Sequence, residues 1–160
     1  MRPRTTPAQR CAGPITAALL LACALSARAA TTAIDDSGTV VYTPTVSMNW
    51  QTPMARRHSS TLMTGTTAVR VRLNVAPWLR RVGRIYLVLP AQRPGPIRAS
   101  WTTQGRLLPG QVVSGMRTLV YSGPITTPSI EELIQLAIAV DGKQMDQLYN
   151  INFRFEMDSN

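Results

Sequence analysis

The chain has 160 residues, with 17 Lys and Arg against 8 Asp and Glu, a net charge of +9, 2 cysteines and 1 histidine. This length is enough for one domain with a buried core, and so little Cys and His argues against a zinc or copper site. The arginines occupy alternate strand positions and turns rather than one basic block, so we do not expect nucleic-acid binding despite the positive charge.

Residues 1–29 have the pattern of a secretory signal peptide. Arginines in the first ten residues precede an apolar run from Ile15 to Leu25, and an A-x-A cleavage site ends at Ala29. The run is shorter than the about 20 apolar residues that a membrane-spanning helix needs. The sequence therefore predicts an exported protein that passes through the periplasm and has no transmembrane span.

The same region allows a second interpretation. The four residues that end at Cys23 have the outline of a bacterial lipobox, and cleavage before Cys23 would leave an outer-membrane lipoprotein. Cleavage after Ala29 would instead remove Cys11 and Cys23 together, so that the exported chain would contain no disulfide in a compartment that permits one. Sheet pairing and burial would then have to hold the fold.

The exported part begins with a polar stretch and continues with a first extended segment. Residues 30–38 are rich in Thr, Asp and Ser and are predicted to be a flexible N-terminal segment, followed by a single domain over 39–160. Residues 39–50 have strand alternation, but Pro44 cannot donate to a ladder, so this strand is expected at an edge or with a bulge. Its apolar face carries Val40, Tyr42, Val46, Met48 and Trp50.

Several further strands follow, separated by Gly and Pro turn signals. Alternating or continuous apolar residues predict strands at 66–75, 84–89, 97–103, 117–122 and 134–140, and a hairpin-like piece at 106–113. Thr127 and Pro128 favour at most one short helix near residues 128–133. Short strands between regular turns are typical of an all-β, immunoglobulin-like β-sandwich.

The last predicted strand, residues 148–157, has the clearest division into two faces. Such a strand must be laid into a sheet, because its apolar face would otherwise meet water and its backbone groups would lack partners. We therefore interpret it as a pairing strand. Its apolar face carries Tyr149, Ile151, Phe153, Phe155 and Met157.

The residues give no support for catalysis, so we expect no enzyme, catalytic residue, metal or cofactor. His58 precedes two serines, but adjacency in sequence is not the geometry of a catalytic triad. Trp101 could stack on a sugar, with core filling as the alternative, and Arg80 and Arg81 could meet an anionic glycan or act as solubilising turn residues. These three residues are the candidate ligand contacts.

An export signal, cysteine-free alternating strands and an aromatic terminal strand make the chain similar to subunits of chaperone-usher fimbriae. It most resembles the cysteine-free alpha class of colonisation-factor fimbriae, by pattern over the whole exported chain and without a short motif. The resemblance implies a sandwich that lacks its last strand. It also implies that a periplasmic chaperone and then the N-terminal extension of the next subunit fill the gap, with an outer-membrane usher, a place on the cell-surface fimbria and a host glycan among the implied partners.

The resemblance leaves the donor segment undecided. Residues 30–38 are poor in apolar side chains, so residues 39–50 would have to serve as the donor strand or as the first strand of the sandwich. The alternative function is a small periplasmic or lipid-anchored envelope protein that binds a protein or glycan. A missing strand beside residues 148–157 would favour the fimbrial subunit, and a complete sandwich would favour the alternative.

Overall fold

The computed structural model of the protein describes residues 30–51, 61–92, 95–144 and 151–159. In these ranges, strands form two antiparallel sheets whose inner faces share one hydrophobic core, which confirms the predicted all-β sandwich. The helices in the same ranges are two 3-10 helices of three residues, Ala76–Trp78 and Gly142–Gln144. None of the helical segments described is long and apolar enough to cross a membrane.

The strands are assigned to the two sheets as follows. The strands are β1 Ala30–Ala33, β2 Val40–Val41, β3 Asn49–Trp50, β4 Leu62–Asn74, β5 Val82–Leu89, β6 Arg98–Thr102, β7 Gly110–Val113, β8 Met116–Pro124, β9 Ser129–Asp141 and β10 Arg154–Ser159. One sheet has the order β1-β10-β5-β8, and the other has the order β2-β4-β9-β6-β7, with β3 also paired to β4.

The pairing of β4 with β9 is the longest ladder, with Leu62 opposite Asp141 and Asn74 opposite Ser129 at its two ends. Alternation along β4 points Val71 and Leu73 into the core and the intervening arginine to solvent. Both long strands contribute buried side chains, so this ladder provides much of one wall of the core.

The core lies between the inner faces of the two sheets. Each fully buried Leu, Ile, Met or Val side chain there stabilises the fold by roughly 1.5–3 kcal/mol relative to an exposed one. The largest fully buried side chains are those of Leu73, Ile85, Leu89, Ile97, Ile125, Met157, Val71, Val75, Val112 and Val120.

The short helix that the sequence allowed near residues 128–133 does not form, because β9 begins at Ser129. The Thr127 hydroxyl donates a hydrogen bond to the Ser129 carbonyl (2.8 Å), so this threonine closes a turn before a strand instead of capping a helix. Ile130 and Ile134 are buried, and the whole segment pairs with β4. Tertiary pairing overrides the local capping signal.

The two ends of the chain also differ from the sequence prediction. The segment predicted to be flexible contains β1 and the buried Ile34, because an edge strand can form through backbone bonds even when its side chains are small and polar. At the other end β10 begins at Arg154, later than predicted, and continues to Ser159. The predicted part of this strand before residue 151 lies outside the described residues.

Replacing Leu73 by Ala should lower the free energy of unfolding by about 2–5 kcal/mol, because the fully buried side chain leaves a cavity that the sheets cannot close. The matched control is Leu133→Ala on the paired strand, where the side chain is 51% exposed and the change should stay within about 0.5 kcal/mol. Urea unfolding followed by tryptophan fluorescence measures both. Equal losses in the two variants would contradict the assigned core.

Candidate functional site

The candidate site is the side of the C-terminal strand β10 that faces away from β5. On its β5 side, β10 pairs from Arg154 opposite Val88 to Ser159 opposite Gly83. On its other side, among the described residues, its ladder partner is β1, from Ala30 opposite Ser159 to Ala33 opposite Glu156. The C-terminal strand therefore has a neighbour on both sides, and the outer neighbour is a four-residue edge strand. The gap beside this strand that the fimbrial resemblance implied is filled by the same chain in the residues that the structure describes.

The outer neighbour is attached by few side chains. All four residues of β1 are exposed, and the first buried side chain of the N-terminal segment is that of Ile34, whose backbone N–H donates to the Phe155 carbonyl at 2.9 Å. Immediately afterwards, Asp35 bridges to Asn74 at the end of β4, so the chain leaves one sheet for the other. We call residues 30–34 the N-terminal arm.

Polar side chains join the N-terminal arm to the solvent-facing side of its sheet. The Thr31 hydroxyl donates to Asp158 Oδ1 at 2.6 Å, and Arg117 from β8 contacts the same carboxylate, with Nη2 3.1 Å from Oδ2. The Arg117 guanidinium also lies over the Tyr86 ring, 4.2 Å from its centre, and 3.9 Å from Glu156. This cluster connects all four strands of the sheet.

The electrostatics of the cluster favour a charged Asp158. The hydrogen bond from Thr31 lowers the pKa of the Asp158 carboxyl most, and the hydrogen bond and charge of Arg117 lower it further, with a smaller effect from the charge of Arg84. Partial burial acts in the opposite direction and is outweighed. The ionised carboxylate is therefore the form that holds the arm.

The other face of β10 belongs to the core. Phe155 and Met157 are buried, and Ile151 and Phe153 pack against the core while remaining partly exposed. Tyr149 of the predicted pairing face lies outside the described residues. Gly83 opposite the end of β10 makes room for this face, because a Cβ there would lie 2.5 Å from the Met157 sulfur.

The predicted donor or first strand lies in the other sheet. Its β2 portion places Val40 and Val41 opposite Arg70 and Val69, and its β3 portion places Trp50 opposite Met63, all on β4. This segment follows β1 in the chain, pairs with β4 and is not beside β10 in this structure. Val46 and Met48 pack against the core, whereas Val40, Tyr42 and Trp50 are exposed.

The three candidate ligand contacts do not form one surface site, because Trp101 is buried and the two arginines are exposed. Trp101 is 4% exposed, and its indole N–H donates to the Leu108 carbonyl at 2.9 Å, so its ring fills the core and offers no face to a sugar. Arg80 and Arg81 are exposed in the turn before β5, where their backbone groups exchange hydrogen bonds with Ile125. Arg80 has a φ of 65°, which is a turn conformation.

An open groove of about 410 Å³ lies where the N-terminal segment passes from one sheet to the other. Its walls are polar, and in the described part of the chain no three His, Cys, Asp or Glu side chains are grouped to hold a metal ion. The lining residues are Asp35, Ser37, Gly38, Arg72, Asn74, Pro128 and Ser129.

Sequence reasoning did not find the polar cluster at Asp158. Thr31 and Asp158 are 127 positions apart, and Arg117 comes from a third strand, so no local spacing in the sequence indicates the contact. The predicted terminal strand ended at residue 157. Continuing its alternation by one residue would have put Asp158 on the polar face, and this was the available signal. No family model, curated protein or solved structure matches the chain.

Acidification should destabilise the protein through Asp158. Because the folded-state pKa of this carboxyl lies below its usual value of 3.8, its stabilisation is present above about pH 4 and is lost as the pH falls through the folded-state pKa. Asp35 and Asp141 have lowered pKa values and act in the same direction, whereas Asp36 has a raised pKa and acts oppositely.

The variant Asp158→Asn isolates this contribution. It should be less stable than the wild type near pH 7 and should lose less stability on acidification, because its side chain does not titrate. Urea midpoints between about pH 7 and about pH 2 measure the difference. Parallel pH curves for the two proteins would contradict the role of this carboxylate.

Proposed function

We propose that the protein is a structural or adhesive subunit of a cell-surface fimbria that is assembled by strand exchange. Its partners would be a periplasmic chaperone, an outer-membrane usher and neighbouring subunits of the same or another kind. In this proposal it carries out no catalysis, and a host glycan is a further candidate partner of an adhesive subunit.

The observation that carries the proposal is that β10 is bound more extensively on its β5 side than on its β1 side. Six residue pairs and a buried face join β10 to β5, whereas the outer side is covered by four exposed residues and one buried anchor, Ile34. A strand held mainly by backbone bonds at a sheet edge can be replaced by another strand that makes the same bonds. The covered side of β10 is therefore suited to exchange.

The position of the covering strand supports the proposal further. β1 begins at Ala30, the first residue after the predicted cleavage site, so it would be the N-terminus of the exported chain. An arm at a free terminus can leave one sheet and enter another copy without threading the chain. The crossing at Asp35 would act as the hinge, as in domain swapping between identical subunits.

The alternative function is a small periplasmic or lipid-anchored envelope protein, with anchoring through Cys23. One observation favours it: β10 already has a neighbour on each side within a single chain. A second is the exposure of two aromatic side chains, Tyr42 at 50% and Trp50 at 40%, with the Arg70 guanidinium 5.5 Å from the centre of the Tyr42 ring. Either ring could contact a protein or glycan.

Strand exchange predicts concentration-dependent assembly of the exported protein. Native mass spectrometry of the protein purified from the periplasm should show multiples of one subunit that increase with concentration, because arms of different copies can occupy one another's sheets. An excess of a peptide copying residues 30–36 should occupy the same edge and return the assemblies to single subunits.

The matched control is the same peptide carrying Ile34→Asp, which places a charge where the arm has its buried side chain and should have little effect. A monomer at every concentration that takes up neither peptide would contradict strand exchange and favour the envelope protein.

A further inference from the structure

The N-terminal arm contacts β10 through two side chains on opposite faces. Thr31 points outward and donates its hydroxyl to Asp158, whereas Ile34 points inward and is 5% exposed. Within the described residues, Thr31 is the β1 residue whose side chain forms a hydrogen bond, since Ala30 and Ala33 have no polar group and Thr32 makes none. Recognition of the arm by side chains therefore rests on these two contacts.

The pairing geometry explains why the hydroxyl reaches the carboxylate. Ile34 donates its N–H to Phe155, so these two residues form a hydrogen-bonded pair of the antiparallel ladder. Hydrogen-bonded and non-hydrogen-bonded pairs alternate, and the side chains of the second kind lie closer together. Three positions earlier, Thr31 opposite Asp158 is a non-hydrogen-bonded pair.

Asp158 is oriented by groups that do not belong to the arm. Both of its oxygens are contacted by Arg117, with Nη1 3.2 Å from Oδ1 and Nη2 3.1 Å from Oδ2, and the guanidinium is itself placed over the Tyr86 ring. The Asp158 side chain is 13% exposed. A carboxylate fixed in this way is ready to accept a hydrogen bond from an incoming strand.

We propose that Asp158 selects the strand that pairs with β10. This inference rests on the strand exchange proposed above and names its partner as the N-terminal segment of a second copy of this chain. The accepted strand carries a hydroxyl residue opposite Asp158 and a branched apolar residue three positions later. An acidic residue opposite Asp158 is rejected by charge repulsion, and an apolar one loses the hydrogen bond.

The same two contacts fix the register. A shift by one residue in either direction turns Ile34 to the solvent face, because side chains alternate along a strand. A shift by two residues that places Ala33 opposite Asp158 leaves the carboxylate without a hydroxyl. In the observed register both contacts are made together.

A double-mutant cycle within the intact exported protein tests the contact directly. The measured quantity is hydrogen-exchange protection of the Ile34 amide, which donates to β10. Thr31→Val should lower this protection about three- to tenfold, and Thr31→Ser should preserve it. In the background of Asp158→Ala, Thr31→Val should cause no further loss. Fully additive effects of the two substitutions would overturn selection by Asp158.

Labelled peptides copying residues 30–36 test the second copy as partner. Uptake by the intact protein should be similar with Thr or Ser at position 31, lower with Val, and at least about tenfold lower with Asp. Asp158→Ala should abolish this order, whereas equal uptake of all four peptides by the wild type would overturn the selection. No uptake of any peptide would overturn strand exchange and the second-copy partner, and the double-mutant cycle would then decide the role of Asp158 by itself.

Discussion

The fold depends on the burial of one face of the C-terminal strand, which comes last in the chain and yet lies inside its sheet. Phe155 and Met157 belong to the shared core, so β10 must be paired on the β5 side for the sandwich to close. Its other side needs a neighbour because unpaired backbone groups next to a core are costly. Four exposed residues and Ile34 provide that neighbour. The proposed function follows from the small amount of side-chain burial between this neighbour and the rest of the sandwich.

The rest of the molecule holds most of the core without the N-terminal arm. The β4–β9 ladder and the β5–β8 pair are extensive and carry most of the buried side chains. The N-terminal arm contributes one buried residue to that core and then crosses to the other sheet beside an open polar groove. Loss of the arm would therefore remove little of the core. The stability of the sandwich should then depend little on which strand pairs with the outer side of β10.

The sequence predicted the architecture well where periodicity dominates. The alternation in β4, β9 and β10 identified the buried faces correctly, because an apolar face must find a core whatever its partners are. It failed where local signals compete with pairing, at Thr127 and Pro128, and where a strand has no apolar pattern, as in β1. The Thr31–Asp158–Arg117 cluster could not be foreseen, since three strands distant in sequence must meet before it exists.

The most direct test is an engineered disulfide between β1 and β10. Ala33 and Glu156 are a non-hydrogen-bonded pair with exposed or half-buried side chains, so cysteines at both positions are close enough to bond. If arms are exchanged, non-reducing electrophoresis of cells that express the protein with Ala33→Cys and Glu156→Cys will show a ladder of covalently joined subunits that collapses on reduction. A cross-linked single subunit and no ladder would contradict the account, because the arm would then remain in its own chain.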